Sequence, residues 1–105
     1  MTLRIRYVQS GGFTGLIRGC TLDAASLAPA AAAVMKRLVK PASLAKLRTA
    51  RTARTQGAAD LLLHDFEIET DDGTFRASFD DLTLPKALKP LAAFLARRSK
   101  PLPPQ

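Results

Sequence analysis

The stretch that most limits the fold runs from Asp60 to Asp80. Leu62, His64, Phe66 and Ile68 alternate with Asp65, Glu67 and Glu69. That is the period-two signature of a strand with one buried and one solvated face. Asp71-Asp72-Gly73 follows, and Asp-Gly tolerates the positive φ that a tight hairpin demands. The chain then returns with Phe75, Ala77 and Phe79 facing inward and Arg76, Ser78 and Asp80 facing outward. A hairpin that is apolar on one face has to be covered by another layer.

A second hairpin is predicted at the N-terminus. Leu3, Ile5 and Tyr7 face one way, Arg4 and Arg6 the other. Ser10-Gly11-Gly12-Phe13 forms its tip, because glycine supplies positive φ at little steric cost. Leu16, Arg18, Cys20 and Leu22 share a face of the return strand, with Ile17 opposite. Phe13 is a large apolar residue where a turn is normally polar, and Gly15 strips a further side chain from its surroundings. Phe13 either folds back onto the sheet edge or is presented outward on bare backbone.

Two helices complete the pattern. Ser26 is the expected N-cap of the first, with Pro29 in its first turn. Leu27, Ala31, Val34, Met35 and Leu38 form its apolar face. Lys36, Arg37 and Lys40 suit its C-terminal dipole, and Pro41 ends it. Near the C-terminus, Thr83 is placed to cap and Pro85 to open a short turn over 85–89. Pro90 then starts a main helix to about residue 98, with Leu84, Leu88, Leu91 and Leu95 on one face and Phe94 beside it. The order is ββαββα. The expectation is an α+β fold, with a four-stranded, mainly antiparallel sheet and two helices on one face. One domain spans residues 1–98, and residues 99–105 form a flexible, proline-rich tail.

The 105 residues carry a formal charge of +7, unevenly placed. Lys36 to Arg54 hold seven basic residues and no acid, whereas Asp60 to Asp81 hold eight acids with Arg76 and His64. This describes a dipolar surface better than a uniform phosphate-binding one. Arg48, Arg51 and Arg54 recur at intervals of three, as a solvated loop or as an anion-binding arm. A nucleic-acid-binding module using Lys36, Arg37, Lys40, Arg48, Arg51 and Arg54 is the alternative functional class. It lacks an obvious aromatic stacking platform.

Catalytic equipment is sparse. His64 is the only histidine and alternates with core residues, so it reads as a partly buried structural group. Cys20 is the only cysteine, which allows no internal disulfide and fits a reducing compartment. It has no neighbouring base, and a nucleophilic role would need His64 brought to it. One Cys, one His and scattered carboxylates match no spaced zinc site. Asp71-Asp72 and Asp80-Asp81 sit where Asp is favoured for local hydrogen bonding. Gly11-Gly12 lacks the lysine and following helix of a phosphate loop. No enzyme, metal or cofactor is expected; the residues describe a binding protein. The N-terminus has no signal-peptide apolar run, and no segment reaches the ~18 apolar residues of a membrane span. The expected setting is cytoplasmic, with no membrane partner.

Ser10-Gly11-Gly12-Phe13-Thr14-Gly15, Asp60-Leu61-Leu62, Phe66-Glu67-Ile68-Glu69, Asp72-Gly73, Ser78-Phe79-Asp80-Asp81 and Leu84-Pro85 with Leu88, Pro90 and Leu91 occur in this order. Together they resemble the emfourin family, small protein inhibitors of thermolysin-like zinc metallopeptidases such as protealysin. The resemblance extends from Thr2 to Leu95 and is weakest over Ala28–Gly57. It implies stoichiometric blockage of the peptidase cleft, the zinc being the peptidase's own. Ser10, Gly11, Gly12, Phe13, Thr14 and Gly15 are the candidate peptidase-binding residues, with Phe13 filling an apolar pocket. The Asp71-Asp72-Gly73 turn and the acidic strand face are the alternative inhibitory edges.

Overall fold

A computed structural model describes residues 3–11, 17–39 and 61–101, and the backbone of 52–53. Strand β1 (Leu3–Gly11) lies between β2 (Arg18–Asp23) and β4 (Leu62–Thr70), antiparallel to both. β5 (Gly73–Asp80) pairs antiparallel with the far side of β4. Two-residue strands close the edges: β3 (Thr52–Ala53) runs parallel to β5, and β6 (Lys100–Pro101) runs antiparallel to β2. The sheet order is β3-β5-β4-β1-β2-β6. Helices α1 (Pro29–Leu38) and α2 (Lys89–Arg97) share one core with its inner face.

The α+β class and both hairpins agree with the sequence pattern; the four-strand count and the ββαββα order do not. Among the described residues six strands form, because each edge recruits a pair of residues too short to show any alternation. Thr52–Ala53 fall inside the segment read as a loop or basic arm. Lys100–Pro101 fall in the segment assigned to the tail, and Ser99 before them is buried. Pro101 is tolerated there because an edge strand needs its N–H groups on one side only.

The register explains the core. Leu22, Ile5, Ile68 and Phe75 form one cross-strand row on the inner face, and Cys20, Tyr7, Phe66 and Ala77 the next. Tyr7 and Phe66 are direct neighbours with ring centroids 5.3 Å apart, and Phe66 meets Phe79 edge-on at 6.4 Å. Ala32 and Met35 of α1 and Leu91, Ala92 and Leu95 of α2 cover these rows.

The outer face is laid out by the same register. Glu69 lies opposite Arg4, and Glu67 lies between Arg6 and Arg76. Arg76 reaches Glu67 at 3.1 Å; Arg4 reaches Asp23 at 3.7 Å and Glu69 at 3.9 Å. The acidic strand is thus flanked by arginines from its neighbours, Arg4 and Arg6 of β1 and Arg76 of β5. Each such exposed pair is worth only ~0–1 kcal/mol, so these pairs favour the register more than they stabilise the fold.

Three local readings change. Ser26 is not the cap of α1: Ala28 occupies that position, with no side-chain cap, and Pro29 opens the helix. Asp23 instead organises the preceding turn, its Oδ1 accepting from Ala25 N–H at 3.0 Å and its carbonyl from Ser26 and Leu27. Thr83 does not cap the 3-10 turn at Lys86–Leu88; its Oγ1 accepts from Asp80 N–H at 2.9 Å. Asp80, expected to face outward, is buried, because the chain after β5 folds back over it. The two-step C-terminal segment agrees with expectation: the 3-10 turn comes first, then α2 with Pro90 in its first turn, where a missing N–H costs little.

Leu95 is fully buried, whereas Leu82 is 71% exposed. Leu95→Ala should therefore lower unfolding free energy by about 2–5 kcal/mol, and Leu82→Ala by less than about 0.5 kcal/mol. Urea denaturation of the two variants checks the assignment of inside and outside.

Candidate functional site

The first residues of the glycine-rich segment belong to the centre of the sheet. Ser10 and Gly11 end β1, opposite Leu63 and Leu62 of β4, and the chain is again described from Ile17, with Arg18 opposite Gln9. On either side of the segment, Gln9 and Arg18 are therefore paired with each other. Gly11 has φ +89°, and a Cβ there would lie 2.9 Å from the Leu61 carbonyl oxygen. Its glycine is required by the backbone just before β4, before any partner is considered. Gly12, Phe13, Thr14 and Gly15 lie outside the described residues.

Beneath this end of the sheet runs a polar chain that sequence reasoning did not assemble. His64 is buried, as expected, and both ring nitrogens are engaged. Nδ1 lies 2.7 Å from the Tyr7 hydroxyl, and Nε2 lies 2.6 Å from Asp81 Oδ1. A carboxylate only accepts, so Nε2 donates to Asp81, while Nδ1 and the Tyr7 hydroxyl share the other bond. Gln9 Nε2 donates to the Tyr7 oxygen at 3.4 Å, and Asp81 Oδ2 accepts from Leu62 N–H at 3.2 Å. The chain links β1, β4 and the turn after β5. Tyr7 is sealed in the core, so this is a strut and not a nucleophile–base pair.

Cys20 and His64 are not partners. The Cys20 thiol donates to the Leu95 carbonyl at 3.4 Å, and burial pushes its pKa up, away from the thiolate a nucleophile needs. Among the described residues no three metal-ligating side chains converge. The outer face carries a shallow groove of about 300 Å³ lined by Arg6, Val8, Asp65, Glu67, Arg76 and Ser78, among others. Its carboxylates are occupied, Glu67 by Arg76 and Asp65 by the Ser78 hydroxyl. Of the candidate nucleic-acid residues, Lys36 and Arg37 are exposed on α1, while Lys40, Arg48, Arg51 and Arg54 lie outside the described residues. Among the described residues no helix is long and apolar enough to cross a membrane.

Two large apolar side chains are exposed among the described residues, Ile17 and Leu82. Both lie at the glycine-rich end of the sheet. Sequence reasoning passed over Leu82, although one signal was present: a leucine inside an Asp-rich turn, off the helical face that begins at Leu84.

The sequence profile of the emfourin family matches residues 7–96. This chain belongs to the emfourin family. The emfourin match takes in the glycine-rich segment, the Tyr7–His64–Asp81 chain, the β4–β5 hairpin, the first hairpin from Tyr7 onward and α2 up to Ala96. It stops short of β6, so the edge strand at Lys100–Pro101 lies outside the emfourin match. No curated protein and no solved structure matches the chain.

Tyr7 is the only tyrosine, and tryptophan is absent. Its hydroxyl is pushed up to about 12, chiefly by burial, with the Asp81 charge adding to the effect and the Gln9 hydrogen bond opposing it. Absorbance at 295 nm should therefore show a phenolate midpoint near 12 in the folded protein and near ~10 in urea. The unfolded phenol ionises first, so its contribution to stability is complete below about pH 10 and is lost as pH climbs towards 12, by about 2–3 kcal/mol. Gly11→Ala should cost at least ~1 kcal/mol, because both its φ and the Leu61 carbonyl oppose a Cβ. Thermal unfolding followed by circular dichroism measures that loss.

Proposed function

We propose that the chain is a stoichiometric protein inhibitor of a thermolysin-like zinc metallopeptidase and that Ser10–Gly15 is the segment that enters the cleft. The observation that carries the reading is the emfourin match over residues 7–96. Anchorage supports the choice of segment. Ser10 and Gly11 continue the central strand, and Gln9 pairs on both sides, with Arg18 and with His64. A loop held at both ends loses less entropy on binding than a free one.

The mechanism is steric. Thermolysin-like enzymes favour a large apolar side chain just after the scissile bond, and Phe13 is the residue in this segment able to fill that pocket. Gly12 and Gly15 leave the backbone beside it bare, so that main chain can come close to the cleft walls. The zinc belongs to the peptidase, and inhibition needs no metal held by this chain.

Titration of the purified protein into thermolysin with a peptide substrate tests the reading. The expected result is a saturable, one-to-one loss of activity that added zinc does not reverse. Phe13→Ala should keep the fold and weaken inhibition by on the order of 2 kcal/mol, about thirtyfold. A folded Phe13→Ala protein that inhibits like wild type moves the inhibitory edge away from the Ser10–Gly15 segment.

A further inference from the structure

We propose that Leu82 is a second apolar contact with the peptidase, on the surface flanking its cleft, held out to the partner by Asp80 and by the His64–Asp81 pair. The proposal rests on the inhibitor reading above and names a part of the interface that the glycine-rich segment does not supply.

Leu82 is 71% exposed, yet the turn that carries it is fixed from below. The buried Asp80 carboxylate accepts from Leu82 N–H at 2.8 Å and from Thr83 N–H at 2.9 Å. Asp80 N–H donates in return to Thr83 Oγ1 at 2.9 Å. Asp81 is fastened to β4 through His64 Nε2 at 2.6 Å and Leu62 N–H at 3.2 Å. Both residues before Leu82 and the one after it are thus locked to the sheet.

This is a costly way to hold a side chain that touches solvent. A buried carboxylate is tolerated only when its hydrogen bonds are satisfied, and a turn normally displays a polar residue. A leucine on a rigid, preformed turn is what an apolar partner surface binds with little ordering cost. The position fits the same partner as the glycine-rich segment. β5 lies two strands from β1 in the sheet, roughly 10 Å at ~4.8 Å per strand. A protein–protein interface of about 800 Å² per partner covers both points at once.

Inhibition of thermolysin by wild type, Leu82→Ala, Asp81→Ala and the double variant decides the matter, with light scattering and thermal unfolding run on each. Leu82→Ala should keep its melting temperature and inhibit at least about tenfold more weakly. Asp81→Ala should weaken inhibition when Leu82 is present and have no further effect when residue 82 is already alanine, a coupling that simple destabilisation does not produce. Wild-type inhibition left unchanged by Leu82→Ala overturns the proposal and leaves the inhibitor reading standing. The same result with a dimer lost in light scattering gives Leu82 to a second copy of the chain instead. Equal losses from Asp81→Ala in both backgrounds remove the positioning role of the His64–Asp81 pair. A wild-type protein that does not inhibit removes the inhibitor reading, and this proposal with it.

Discussion

The fold depends on the antiparallel pairing of β1 with β4, which runs unbroken from Leu3 opposite Thr70 to Gly11 opposite Leu62. This pairing joins residues about sixty positions apart, so it closes a long loop before any local contact rewards it. What offsets that cost is the inner face: Ile5 on Ile68 and Tyr7 on Phe66, fully or almost fully buried under the two helices. A slip of one residue would turn Arg4 and Arg6 into the core and Ile5 and Tyr7 into water, so the register is strongly specified. Ser10 and Gly11 at the end of β1 inherit their positions from this pair.

The polar chain from Gln9 through Tyr7 and His64 to Asp81 converts that central pairing into control of one end of the molecule. Each member is satisfied by the next, and among the described residues no buried side-chain polar atom is left without a partner. A satisfied buried network specifies one arrangement, because every alternative strands a donor or acceptor. The consequence is a sheet end with little local freedom, where Leu62 N–H, Asp81 and the Asp80 turn are joined by hydrogen bonds.

The two faces of the sheet divide the labour. The inner face supplies stability, through aromatic and aliphatic rows covered by α1 and α2. The outer face supplies solubility and register, through arginines that flank the acidic strand β4. Its ion pairs are exposed, and its groove holds carboxylates already committed to Arg76 and Ser78. The functional interest falls on the end of the sheet, where the exposed apolar residues gather.

Alternation determined the strands of the two hairpins and the inward set Leu62, His64, Phe66 and Ile68, because a strand with one buried face writes its period directly into the chain, and Asp-Gly marked the turn at Asp71-Asp72-Gly73. Helical spacing likewise determined the apolar face of α2, and Pro90 marked its first turn. The ordered run of motifs was enough to indicate the emfourin family. Tertiary structure decided the rest. The edge strands at Thr52–Ala53 and Lys100–Pro101 are two residues long, and so short a run carries no period. Asp80 was legible as a turn residue but not as a buried one, since its burial comes from chain folding back over β5. The bonds from Tyr7 to His64 and from His64 to Asp81 span 57 and 17 positions. Such contacts leave no local signature, because the register of β1 on β4 brings the first pair together and that of β4 on β5 the second.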